Sequence, residues 1–205
     1  ESQGYDMVFI DFDNGGDYIQ RSAYLVEEII QWINAQLLAN GSNSQNVVWG
    51  VSNGGLISRY ALREMEMMGI PHNTRQYVAF DSPQQGANFP LGFQQMVWNL
   101  ANTVIYGNRL TDFQPQILVA EAILNNPAAL QALVYHASAF PFVTPERTSL
   151  MNWFNSNGYP TQCERVVVSN GSNAGIGEPF APSAALMNLV GSDEADRDRL
   201  EYEFD

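Results

Sequence analysis

Apolar positions along the chain follow two periods, near two and near 3.6 residues, and the switches between them mark the expected elements. Tyr5-Asp6-Met7-Val8-Phe9-Ile10-Asp11 is a short apolar run that ends in the polar loop Asp13-Asn14-Gly15-Gly16, and it reads as a strand. Ala23, Leu25, Val26, Ile29, Ile30, Ile33, Leu37 and Leu38 then recur at three-four spacing, which predicts a long helix. Asp17 is its expected N-cap, Gln20 stands at capping-box spacing, and Asn40-Gly41 stops it. A second apolar run, Val47 to Val51, leads into another helix whose apolar face is Leu56, Ile57, Tyr60, Ala61, Leu62, Met65 and Met68. Arg63, Glu64 and Glu66 take its other face, and Gly69 and Pro71 end it.

Tyr77 to Phe80 and Arg165 to Ser169 complete four strands, and Leu200 to Phe204 is a candidate fifth. Long helical segments join them, so the strands are expected to run parallel with helices on both faces of the sheet. Between the third and fourth strands lie about eighty residues without strand pattern, too many for a simple crossover. Helical stretches run from Leu91 to Ile105, Gln116 to Leu124, Pro127 to His136 and Thr144 to Phe154, with Phe140-Pro141-Phe142 before the last. The expected organisation is one domain: a core of 1–88 and 160–205 and a helical cap insertion, 89–159.

The densest chemistry is at Gly50-Val51-Ser52-Asn53-Gly54, where the second apolar run breaks and becomes a helix. A serine on a strained strand-to-helix turn needs small neighbours, and Gly50 and Gly54 are the residues expected to remove colliding side chains. The helix that follows points unpaired backbone N–H groups and the positive end of its dipole at the same place, favourable for an oxyanion. The stretch Gly50-Val51-Ser52-Asn53-Gly54-Gly55-Leu56-Ile57-Ser58-Arg59-Tyr60 resembles the nucleophile elbow of the α/β-hydrolase superfamily, its lipases and esterases, and in particular the PGAP1-like lipase group. Ala79-Phe80-Asp81-Ser82-Pro83-Gln84-Gln85-Gly86-Ala87-Asn88 is similar to a segment after the next strand in many of these enzymes. The likeness spans roughly residues 5 to 90.

That resemblance implies an α/β-hydrolase-type parallel sheet with flanking helices and a helical cap. It implies a carboxylic-ester hydrolase acting on a small ester or lipid, with Ser52 as nucleophile, the Asn53 amide as oxyanion donor and Asp81 as the acid that orients a histidine. An Asx turn that opens the Ser82-Pro83 loop is the alternative role for Asp81. Of the two histidines, His136 is the candidate base, against a packing role in the insertion, and His72 belongs to the opposite, amino end of the sheet. The superfamily's early strands, second oxyanion donor and terminal histidine have no counterpart, so the residues are expected to be the central portion of a longer hydrolase. Cap residues such as Trp98 and Phe142 either shape an apolar acyl pocket or only pack the insertion. Two further readings stay open: a catalytically incomplete module that binds an apolar ligand or a protein, and an acyltransferase.

Composition narrows the partners. Net charge is −13 and all nine basic residues are arginine, which argues against a nucleic-acid surface; the two readings are a plain soluble acidic protein and, more sharply, one adapted to saline water. No apolar run is long enough to span a membrane. The acidity, the lack of lysine and the resemblance point to an extracellular or periplasmic protein, with a cytoplasmic one as the alternative. Cys163 is the only cysteine and reads as a spectator thiol. The loop Asp11 to Asp17 fails as an EF-hand because Ser22 stands at the twelfth position, where a bidentate Glu is needed. No metal or organic cofactor is implied.

Overall fold

A computed structural model describes residues 6–139 and 141–169, so the candidate strand Leu200–Phe204 lies outside the described residues. The chain is mixed α/β and divides into two compact units, one reaching Gln84 and resuming at Trp153–Ser169, the other spanning Gln85–Asn152.

The first unit holds helix α1 (Ile19–Ala39), strand β1 (Asn46–Val51), helix α2 (Asn53–Met68) and strand β2 (Thr74–Phe80). The chain then passes through α3 (Leu91–Asn102), the short strands β3 (Val104–Ile105) and β4 (Asn108–Arg109), α4 (Leu110–Phe113), α5 (Gln116–Leu124), α6 (Pro127–Ala132) and α7 (Pro145–Asn157) before returning as β5 (Glu164–Val168). Strands β1, β2 and β5 form a parallel sheet with β2 in the centre. Its register sets Val51 opposite Phe80 and Phe80 opposite Val168. Parallel neighbours require a crossover, and α2 supplies the one between β1 and β2.

Helix α2 is the spine of this unit. Gly55 through Leu62 are buried without interruption, Met65 is buried a turn later, and Gly69 closes the helix at φ 70° with its N–H on the Glu66 carbonyl. The helix covers Tyr77 and Ala79 of β2, both 0 % exposed, and packs against α1 through residues such as Ala23, Val26 and Ile30.

Several expectations need correction. Residues 6–11 form no strand; Met7, Val8 and Phe9 are exposed, and without a ladder an apolar run has nothing to hold it extended. Helix α1 takes Tyr18 rather than Asp17 as N-cap, because the Asp17 carboxylate accepts the Tyr18 N–H at 2.8 Å and pairs with Arg21 at 3.3 Å. Leu25, Leu38 and Met68 are exposed, whereas the Glu66 side chain is 1 % exposed. Among the described residues helices do not cover both faces of the sheet. Val47, Trp49, Val51, Phe80, Val166 and Val168 share the face away from α2, and all are exposed. Such an open face is unusual for parallel strands, which are ordinarily buried on both sides.

In the second unit α3 packs on α4 and α5. Gln94 pins it, donating to the Phe89 and Tyr135 carbonyls and accepting the Ala137 N–H at 2.9 Å. Helix α3 is shorter than its pattern suggested, since Val104–Ile105 pair with Asn108–Arg109 in a hairpin. Helix α6 begins with Asn126 capping the Ala129 N–H and ends at Ala132, short of His136. Among the described residues no helix is long and apolar enough to cross a membrane.

Candidate active site

Strand β1 runs directly into Ser52, which adopts φ 51°, ψ −126°, and α2 starts at the next residue. A non-glycine residue in that conformation costs of order 1–3 kcal/mol, so the surroundings must enforce it. Two bonds do so: the Ser52 N–H donates to the Phe80 carbonyl at 3.0 Å, and the Ser52 carbonyl accepts the Gly55 N–H at 3.0 Å. Gly50 makes the turn possible, because a Cβ there would overlap the backbone of Gly54 and Gly55. Gly54 plays no such part, since a Cβ on it would meet nothing within 4 Å. The second indispensable glycine is Gly55, against which the Ser82 side chain rests.

The side chain of Ser52 stands in an exposed position at the N-terminus of α2. The N–H groups of Asn53 and Gly54 open that helix and have no intrahelical acceptors, so they and the dipole create a site for negative charge beside the hydroxyl.

Asp81 leaves β2 as Ser52 leaves β1. It too has positive φ, 46°, and its N–H donates to the Val168 carbonyl at 2.6 Å. Since Val51 and Phe80 are paired, Ser52 and Asp81 follow neighbouring strands from one level at the carboxyl end of the sheet. This is where open parallel sheets present ligand-binding groups.

The histidines are engaged elsewhere. His72 precedes β2, about 20 Å of strand from Asp81 at ordinary rise. It is 2 % exposed, accepts the Thr74 N–H at Nδ1 and meets Glu66 through Nε2 at 3.4 Å. Glu66 also accepts the Thr161 and Gln162 N–H groups, each at 2.6 Å. Burial raises its carboxyl, but these bonds, with those from Arg63 and the Thr161 hydroxyl, outweigh burial and hold it below its ordinary value.

His136 lies in the second unit, 3 % exposed, with Nδ1 2.7 Å from the Ser138 hydroxyl and Nε2 2.9 Å from the Leu124 carbonyl. A carbonyl only accepts, so Nε2 carries the proton and Nδ1 is the acceptor for Ser138; both nitrogens are in use. The ring forms part of the wall of a cavity of about 290 Å³ shared with Trp98, Glu121 and Leu124. Phe142 is 41 % exposed and does not line it. Among the described residues no group of three or more His, Cys, Asp or Glu is placed to hold a metal ion. Burial raises the Cys163 thiol, and the Glu66 charge adds to the effect.

Three residues within the two resembling stretches take no role of their own from the sequence and acquire one in the structure: Gly55, Gln84 and Arg59. Arg59 was legible in principle, since a helix apolar at 56, 57, 60, 61 and 62 is buried nearly all round and an arginine inside that run must find internal partners.

No family model matches the chain, and no curated protein or solved structure does.

Proposed function

We propose that this chain is a serine hydrolase of carboxylic esters built on an α/β-hydrolase-like core. The observation that carries the reading is the Ser52 backbone, held at φ 51°, ψ −126° between a parallel strand and a buried helix. Strain of this kind persists where it aims a side chain, and here it presents the hydroxyl at a helix N-terminus. In the reaction the Ser52 oxygen attacks the ester carbonyl, and the carbonyl oxygen gains charge that the Asn53 N–H stabilises. Collapse expels the alcohol and leaves an acyl-serine, which water then cleaves. In the first step an imidazole takes the Ser52 proton and passes it to the leaving alcohol, and in the second it takes a proton from water and returns one to Ser52, with Asp81 to orient it; since His72 and His136 are both bonded elsewhere, the test supplies that imidazole from solution.

The test is labelling of the 205-residue chain with a fluorophosphonate, with and without added imidazole, read by intact mass and peptide mapping. Labelling confined to Ser52, faster with imidazole, and turnover of a p-nitrophenyl ester support the reading. Labelling that ignores Ser52→Ala refutes it. The bonding of both histidines favours one second reading, a hydrolase-like module that binds without turnover. It predicts no ester turnover with or without imidazole.

A further inference from the structure

We infer that Arg59 and Gln84 are positioning residues that hold the Asp81 loop against the Ser52 elbow; this rests on the proposed function. Arg59 lies in the middle of α2 and is 4 % exposed, and among the described residues no carboxylate pairs with it. A buried, unpaired guanidinium is costly and must be held by dipoles and aromatic faces. Here its carbon lies 3.7 Å from the Tyr159 ring centre and 4.0 Å from that of Phe154. Nε donates to the Gly158 carbonyl at 3.1 Å and Nη2 to the Phe154 carbonyl at 3.3 Å.

The remaining bond points to the site. Nη1 donates to Gln84 Oε1 at 3.2 Å, which fixes the amide so that its nitrogen faces the other way. That nitrogen donates to the Ser82 hydroxyl at 2.9 Å and to the Tyr77 hydroxyl at 3.1 Å. Tyr77 in turn donates to the Gly55 carbonyl at 2.7 Å, in the first turn of α2 behind Ser52. Arg59 thus begins a chain of directed bonds that leaves α2, passes through the loop beside Asp81 and returns to α2 next to the nucleophile. Gly55 lets the two ends touch, since Ser82 occupies the space of its missing Cβ. Without the Gln84 donor, Ser82 and Tyr77 lose their common partner and Asp81 loses its fixed distance from the elbow.

The test is Gln84→Met, which keeps the volume and spares the stacking of Arg59 and its two carbonyl bonds. Ester turnover and amide hydrogen exchange over residues 81–84 are measured in wild type and variant. The expected result is kcat lower by about tenfold to a hundredfold with KM within roughly twofold, together with faster exchange at 81–84, because misplacement of about 1 Å costs rate without removing substrate contacts. Arg59→Lys, which keeps the cation but not the fork, should show the same kcat-weighted loss. Unchanged exchange in Gln84→Met overturns the inference whatever the activity, and so does faster exchange with wild-type kcat. A wild type inert even with added imidazole, together with faster exchange in the variant, refutes the proposed function and upholds the clamp.

Discussion

Ser52 and Asp81 are the first residues past a register pair, Val51 and Phe80, and both turn through positive φ, 51° and 46°. Asparagine tolerates that left-handed conformation nearly as well as aspartate, so Asp81→Asn should leave the fold intact. If Asp81 orients the base, kcat falls by about a hundredfold to ten-thousandfold, with a thermal midpoint within a few degrees of wild type. Thermal melting alongside ester turnover checks both halves, and full activity in a folded variant rules out the role.

The strain at Ser52 has a cost that glycine removes. Ser52→Gly should stabilise the chain by about 1 kcal/mol while abolishing acylation, so that stability rises as chemistry is lost. Urea unfolding measures it; a destabilised variant would mean that the serine side chain, not the backbone, holds the turn.

The two glycines of α2 should respond in opposite ways. Gly54→Ala enters open space and should stabilise by about 0.5 kcal/mol with little loss of turnover. Gly55→Ala drives a methyl group into Ser82, and overpacking of that kind costs about 1–3 kcal/mol. Since Ser82 adjoins Asp81, its activity should fall further than its stability.

The carboxyls of Glu27 on α1 and Glu64 on α2 are close enough to interact, and Glu27 Oε1 and Glu64 Oε2 are buried with no hydrogen-bond partner among the described residues. Burial, and then the Glu64 charge, push the Glu27 carboxyl from 4.5 up to about 8. A folded value above the unfolded one means that the stability this carboxyl contributes is fully present below about pH 4.5 and is lost as pH rises through about 8. Urea midpoints should therefore fall between pH 5 and 8.5. Glu27→Gln, which keeps the shape of the side chain but has no proton to lose, should flatten that slope; an equally steep slope in the variant would place its origin elsewhere.

His136 bonds with both ring nitrogens inside its own unit. Its replacement by alanine should lower stability yet leave the rate of fluorophosphonate labelling at Ser52 within about twofold of wild type. Loss of labelling in a folded variant would instead make this imidazole the base.

What the linear pattern showed was what depends on near neighbours. Gly50, the apolar run before Ser52 and the three-four spacing after it place β1, the turn and α2 within a few residues. Long-range partners explain what it missed. Glu66 reads as a solvated face residue, yet the amides it accepts from are 95 and 96 positions away. Arg59 likewise depends on carbonyls 95 and 99 residues on. The apolar run 6–11 shows the converse: its pattern suits a strand, but a strand is a property of two segments, and only one was visible.

The open face of the sheet makes the protein its own spectrometer. Trp49 lies on that face, 66 % exposed and edge-on to Phe80, three residues before Ser52. An indole so hydrated emits toward the red and is open to quenching by iodide. The difference spectrum between wild type and Trp49→Phe would isolate its signal from the other three tryptophans. Anything that comes to lie on the face would shift that emission to the blue, so its occupation can be followed by light alone, whatever the occupant is.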